Sequence, residues 1–146
     1  MVPLPGPVYL DASALGKLYL PEPGSDELNA AIVGRRDVLV SELAVTEVVS
    51  SLCRRRRDGA LTPGLVVRLQ RAIRDDLAAG FFRRAELMPA THRKAERLLV
   101  SLDSIPLRAA DALHLALALG EEAASVLTYD RRLGEACRAM GLAVFP

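Results

Sequence analysis

Short apolar runs alternate along this chain with longer stretches whose apolar residues recur every three or four positions. Val8–Leu10, Val38–Ser41, Ala85–Met88, Ser125–Thr128 and Leu142–Phe145 read as strands, with apolar residues at consecutive positions as in strands buried on both faces of a parallel sheet. Between them the helical spacing is clear. Leu15, Leu18 and Tyr19 follow a cap at Asp11 or Ser13, and Ser25 opens a helix with Asp26 and Glu27 in its first turn. A helix from Leu43 carries Val45, Val48, Val49 and Leu52 and ends in Arg54–Arg57 before Asp58-Gly59. Thr62-Pro63 is a helix start of the cap-then-proline kind, and that helix runs to a stop near Gly80. Thr91 opens the next helix, Leu107–Leu119 is a strongly apolar one stopped by Gly120, and Arg131–Met140 is closed by Gly141.

Strands alternating with helices throughout imply an α/β fold: a three-layer α/β/α sandwich around a central parallel five-stranded sheet, joined by right-handed crossovers. At 146 residues the chain suits one domain over 1–146 with a single core. In such sheets ligands bind at the carboxyl ends of the strands, near the point where strand order reverses. Asp11 directly follows the first strand, and Asp130 follows the run VLTY in the same manner.

Composition narrows the classes without choosing among them. About half the chain is apolar and a quarter charged, with a net charge of +1, so the whole molecule carries no strong pull toward nucleic acid or a membrane. The cations are nearly all arginine, Lys17 and Lys94 being the lysines. Cys53 and Cys137 stand singly, without CxxC or zinc spacing, and read as reduced, packed thiols. No stretch reaches the ~20 apolar residues of a membrane span, and the leader MVPLPGPVYL lacks a basic start. The expected setting is cytoplasmic, with no membrane partner.

The chemistry concentrates in four acids. Asp11 could be a helix cap, and so could Asp130. Asp111 could pair with Arg108, three residues back. Glu47 is harder to accommodate, since Val45, Val48 and Val49 flank it on a helix that packs on the sheet. Two acids at strand ends and two in apolar helices share one further explanation, a common cation site. Gathered carboxylates repel one another and raise each other's pKa unless a cation neutralises them. Mg²⁺ suits such oxygen donors and often takes only one or two carboxylates directly. His114, one turn after Asp111, reads as a packed, hydrogen-bonded histidine rather than a ligand or base, and His92 as a surface residue. Arg54, Arg55, Arg56 and Arg57 form either a solvated helix end or a grip on a phosphate backbone.

The segments YLDASALGKLY, ELAVTEV, LRAADALHLA and LTYDRRL resemble, in order and spacing, the four acidic motifs of the PIN domain. The nearest subgroup is the VapC-type ribonuclease toxins of bacterial toxin–antitoxin pairs. The resemblance implies a metal-dependent endoribonuclease with Asp11, Glu47, Asp111 and Asp130 as its catalytic quartet. It implies Asp11 and Asp111 as direct metal ligands, Glu47 and Asp130 as ligands directly or through water, and Ser13 and Thr128 as supporting groups. Mg²⁺ is the implied cofactor, with Mn²⁺ able to substitute, and RNA and a cognate antitoxin are the implied partners. A homodimer is expected as well, from the apolar helical residues Leu18, Leu28, Ile32, Val48, Leu65 and Leu69. A PIN nuclease of RNA processing or turnover without an antitoxin is the alternative, and a non-catalytic Mg²⁺-binding α/β signalling module is a third reading. A phospho-receiver would need adjacent acids after the first strand and a lysine after the fifth, and a haloacid-dehalogenase-type phosphatase a second acid at position 13. Asp11-Ala12-Ser13 and the terminal VFP supply neither.

Overall fold

The computed structural model describes residues 3–146; Met1 and Val2 of the leader lie outside the described residues. Five parallel strands form one sheet: β1 (Val8–Leu10), β2 (Val38–Ser41), β3 (Arg83–Ala85), β4 (Ser125–Leu127) and β5 (Ala143–Phe145), in the order β3-β2-β1-β4-β5. Seven helices connect them: α1 (Ala12–Tyr19), α2 (Ser25–Ile32), α3 (Glu42–Arg57), α4 (Pro63–Ala78), α5 (Pro89–Ser101), α6 (Ala109–Gly120) and α7 (Arg131–Ala139). The strand alternation divides the core in two. Val8, Leu10, Val38 and Val40 face one layer with Leu15 of α1, Leu28 of α2, Val45 of α3 and Ile73 of α4. Tyr9, Leu39 and Val126 face the other with Leu98 of α5, Leu115 of α6 and Leu133 of α7. This is the expected three-layer α/β/α sandwich.

The strand order carries the functional consequence. From central β1 the chain moves outward through β2 and β3, then returns to the other side of β1 for β4 and β5. The order therefore reverses between β1 and β4, and the crevice beyond their carboxyl ends is where such sheets place ligands. Asp11 and Asp130 lie just beyond the last residues of those two strands.

Local chemistry explains most element boundaries and corrects some expectations. The third strand lies at 83–85, not 85–88. It is an edge strand bonded only to β2, so Arg83 and Arg84 can remain in solvent, and the apolar run that suggested 85–88 puts Leu87 and Met88 on the surface. Gly24, not Ser25, caps α2. Ser25 is buried, its hydroxyl donating to the Lys17 carbonyl and accepting from the Glu22 N–H. The helix after β3 starts at Pro89, and Thr91 stands in its first turn, accepting from the Met88 N–H. Leu28 and Val48, counted among apolar residues spare enough for a dimer, belong to the core. Leu18, Ile32 and Leu69 are partly buried against it. Cys137 is fully buried, and burial pushes its thiol up to about 12, as suits a packed, unreactive cysteine. Among the described residues no helix is long and apolar enough to cross a membrane.

Gly24 is fixed by two constraints at once. Its φ is +96°, and a Cβ there would stand 3.2 Å from the ring of Tyr129, whose hydroxyl donates to the Gly24 carbonyl. Gly24→Ala should therefore cost about 1–3 kcal/mol in urea unfolding, and unchanged stability would show that the α1–α2 turn relaxes freely.

Candidate active site

The site is built outward from Asp11. Its backbone N–H donates to the Leu127 carbonyl, which ties the ends of β1 and β4 together. Its side chain caps α1, Oδ1 accepting from the Ala14 N–H at 3.0 Å and from the Ser13 hydroxyl at 2.7 Å. Oδ2 accepts from the Thr128 hydroxyl at 2.5 Å. Asp11 is only 4% exposed, and all these donors are neutral. Burial pushes its carboxyl above the usual range, against the opposing pull of Thr128, Ser13, the Ala14 N–H and the His114 ring. Ser13 and Thr128 also brace the neighbouring loop. Ser13 Oγ accepts from the Tyr129 N–H and Thr128 Oγ1 from the Asp130 N–H.

Beside Asp11, a cleft of about 510 Å³ is lined by Glu47, Asp111 and Asp130 together with Arg108, Arg131 and Arg132. Each of these three acids has one oxygen occupied by the fold. Asp130 caps α7, its Oδ1 accepting from the N–H groups of Arg132 and Leu133. Asp111 reaches back from the first turn of α6, and its Oδ2 accepts from the Arg108 backbone N–H at 3.0 Å. That contact stands where a guanidinium bridge to Arg108 could be expected. Glu47 Oε1 lies 2.5 Å from Nε2 of His114. Glu47 Oε2, Asp111 Oδ1 and Asp130 Oδ2 are left without hydrogen-bond partners among the described residues. The fold thus brings all four acids to one end of the sheet, with Asp11 buried and the other three on the cleft.

A model of the PIN domain matches residues 8–139. The chain belongs to the PIN-domain family. Ribonuclease VapC45 of Mycobacterium tuberculosis (strain CDC 1551 / Oshkosh) is 37% identical over 141 residues, covering 95% of this chain and 94% of the relative. Ribonuclease VapC49 of the H37Rv strain matches with the same identity and coverage. The crystal structure of M. tuberculosis VapC20, a sarcin-ricin loop cleaving toxin, shares the fold with a TM-score of 0.70 at 19% identity, over 89% of this chain and 95% of its own.

The donor chemistry of this PIN domain fits a hard divalent cation. Among the described residues the side chains concerned offer carboxylate oxygens, three of them unpartnered, and buried Asp11 has no cationic side chain bonded to it. The acids do not form a closed cage. Among the described residues no three His, Cys, Asp or Glu side chains stand close enough together to hold a metal ion. A cation bound here would therefore be held by at most two of these side chains and keep several waters, a coordination that Mg²⁺ accepts.

The arginine run is divided by the helix. Arg55 is partly buried and lines a small groove between α1 and α3 that also contains Glu47 and Ser13, and it pairs with Glu22 at 3.2 Å. Arg54, Arg56 and Arg57 are exposed on other faces. Sequence reasoning missed Tyr9 and Ser41, whose hydroxyls meet behind the site. The available signal was a phenol within a fully buried strand, because such a group needs a polar partner. It also missed the cleft arginines Arg131 and Arg132, which local periodicity presents as an ordinary charged first turn.

The strain on Asp11 is measurable. Its folded-state pKa lies above the unfolded value, so the ionised form opposes folding at neutral pH, and that opposition fades as pH falls through the folded-state value. Metal-free Asp11→Asn, which keeps an acceptor for Ala14, should be more stable than the parent at pH 7, with the gap narrowing toward pH ~4. Urea unfolding across that range tests this, and a gap that widens in acid would contradict it.

Proposed function

We propose that this chain is a VapC-type endoribonuclease, the toxin of a VapBC-like toxin–antitoxin pair, working in the cytoplasm as one PIN-like nuclease domain over 1–146. Asp11, Glu47, Asp111 and Asp130 are its catalytic carboxylates, and the reaction is hydrolysis of RNA phosphodiester bonds. The observation that carries this reading is the arrangement of those acids: among the described residues one is buried with only neutral donors bonded to it, and three are each tied by one oxygen with the other turned free. The 37% identity to two ribonucleases over nearly the whole chain supports the same substrate class.

Asp11 and Asp111 would hold Mg²⁺, or Mn²⁺ in its place, directly, with Glu47 and Asp130 completing the site directly or through water. When bound, such a cation supplies Lewis acidity at the phosphate and acidifies an attacking water. The chain's own part is positioning. The caps and braces fix both oxygens of Asp11 and one oxygen of each of the other three acids before substrate arrives, so little side-chain freedom remains to be lost. Arg108, Arg131 and Arg132 on the cleft wall bind RNA phosphates flanking the cut, since guanidinium pairs well with phosphate oxygens. Of the run from Arg54 to Arg57, Arg55 is the residue assigned to RNA, because it shares its groove with Glu47.

The antitoxin reading has surface to support it. Leu18, Tyr19, Ile32, Val33, Phe81 and Phe82 line an apolar groove, with Val33 and Phe81 largely exposed. An amphipathic segment suits such a groove, which lies at the amino ends of β2 and β3, so an antitoxin seated there would have to extend round the sheet to bring an arginine to the cleft carboxylates. Leu65 and Leu69 lie outside that groove and keep part of their surface in solvent, and a homodimer through this part of α4 is part of the proposal.

Asp111→Asn should abolish Mn²⁺-dependent RNA cleavage while preserving the circular dichroism spectrum. Mn²⁺ at a hundredfold excess over its dissociation constant should stabilise the wild type by about 2.7 kcal/mol but leave Asp11→Asn/Asp111→Asn unmoved. Full cleavage by Asp111→Asn would refute the site. In cells, expression of the chain alone should arrest growth, and co-expression of a neighbouring small gene should restore it. Harmless high-level expression of the wild type would favour a housekeeping nuclease.

A further inference from the structure

Glu47 enters the cleft from the second turn of α3, and its side chain is 36% exposed. A glutamate so placed has several rotatable bonds and would ordinarily sample many orientations. Here a single ring limits it. His114 is 3% exposed, and its Nε2 lies 2.5 Å from Glu47 Oε1. The ring comes from α6, one turn beyond Asp111. It is held from behind by Tyr9, whose Oη lies 2.6 Å from Nδ1 and whose ring meets it edge-on at 5.7 Å. Tyr9 Oη in turn lies 3.2 Å from Ser41 Oγ, which accepts from the Ala44 N–H and so caps α3. The sequence of contacts leaves the start of α3, passes through β1 and α6, and returns to α3 at Glu47.

We infer that His114 is a positioning residue for Glu47, itself held in place by Tyr9 and Ser41. This rests on the ribonuclease reading of the site. A carboxylate only accepts hydrogen bonds, so Nε2 carries the hydrogen in that contact, whichever way the hydroxyl protons of Tyr9 and Ser41 turn. Both ring nitrogens are engaged and the ring is buried, so His114 presents no free nitrogen to a cation or to RNA. Its effect passes through Glu47: with Oε1 held, Oε2 is the oxygen presented to the cleft.

The test uses the full chain with His114→Leu, His114→Gln, Tyr9→Phe and Glu47→Gln, read by RNA cleavage and by Mn²⁺ titration of the thermal unfolding midpoint. Loss of a group that orients a ligand typically costs about 10–100-fold. His114→Leu should lower kcat by that factor with KM changed less than about twofold, and should raise the Mn²⁺ concentration giving half-maximal stabilisation. His114→Gln restores an N–H donor and should recover much of both. Tyr9→Phe keeps the ring and should shift both measures the same way by less. His114→Leu added to Glu47→Gln should not move the Mn²⁺ requirement further, because the acid it orients is already altered. Wild-type values for His114→Leu, a glutamine variant no better than leucine, or fully additive shifts in the double variant would overturn the inference. If His114→Leu does not fold, the glutamine and phenylalanine variants decide. A wild-type chain that cleaves no RNA with Mn²⁺ present would refute the ribonuclease reading, and the Mn²⁺ titration would then decide the role of His114 by itself.

Discussion

Asp11 is a carboxylate held almost out of reach of water at the carboxyl end of the central strand, with only neutral donors bonded to it among the described residues. Burial without a cation is unfavourable, and much of the neighbouring structure reduces that penalty. The Ser13 and Thr128 hydroxyls and the Ala14 N–H stabilise the charge. The two hydroxyls also accept from the Tyr129 and Asp130 backbone, so the support for Asp11 and the course of the chain after β4 are one arrangement. An interior satisfied with stability alone would place an apolar residue or an amide here. In the proposed function the counter-charge is a divalent cation.

The cleft acids follow a common principle of construction. Asp130 is a helix cap, Asp111 bonds back to the start of its own helix, and Glu47 bonds to a histidine one turn beyond Asp111. Each contact is an ordinary structural device, and each leaves one oxygen unused. Stability and presentation are therefore served by the same atoms. This is why each acid, considered singly, has a sufficient structural explanation, while the group as a whole does not. The arginines of the cleft wall add the complementary charge. Arg108 and Arg132 make no ion pair among the described residues, and Arg131 pairs only with Glu135 one turn on.

Much of this could be read from the chain because it is local. Strand runs, helix periodicity, the Thr62-Pro63 start and the glycine stops act over a few residues, and the structure follows them within small shifts of boundary. The alternation of strands with helices was enough for the three-layer sandwich. The positions of Asp11 and Asp130 just past strand ends pointed to the crevice, since a parallel sheet has its ligand sites at that edge. The edge strand was misplaced for an equally physical reason: with one neighbour and a solvent face, β3 does not need the apolar run that marks a central strand.

Contacts between distant residues were decided by the tertiary structure. Thr128 meets Asp11 across 117 positions, and His114 meets Glu47 across 67, because the strand order sets β4 beside β1 and brings α6 over the face where Tyr9 points. Nothing in the local sequence states which helix covers which face. For the same reason the arginine run could not be sorted until α3 was docked, when Arg55 alone of the four turned toward the groove of Glu47. Leu28 and Val48 were likewise spare hydrophobes in the sequence and core in the fold. The sequence by itself determined which residues are acidic, where helices and strands begin, and which acids stand at strand ends, because those depend on neighbours in the chain. The pairing of acids with the groups that hold them depends on strand order and layer assignment, and only the packed sheet specifies those.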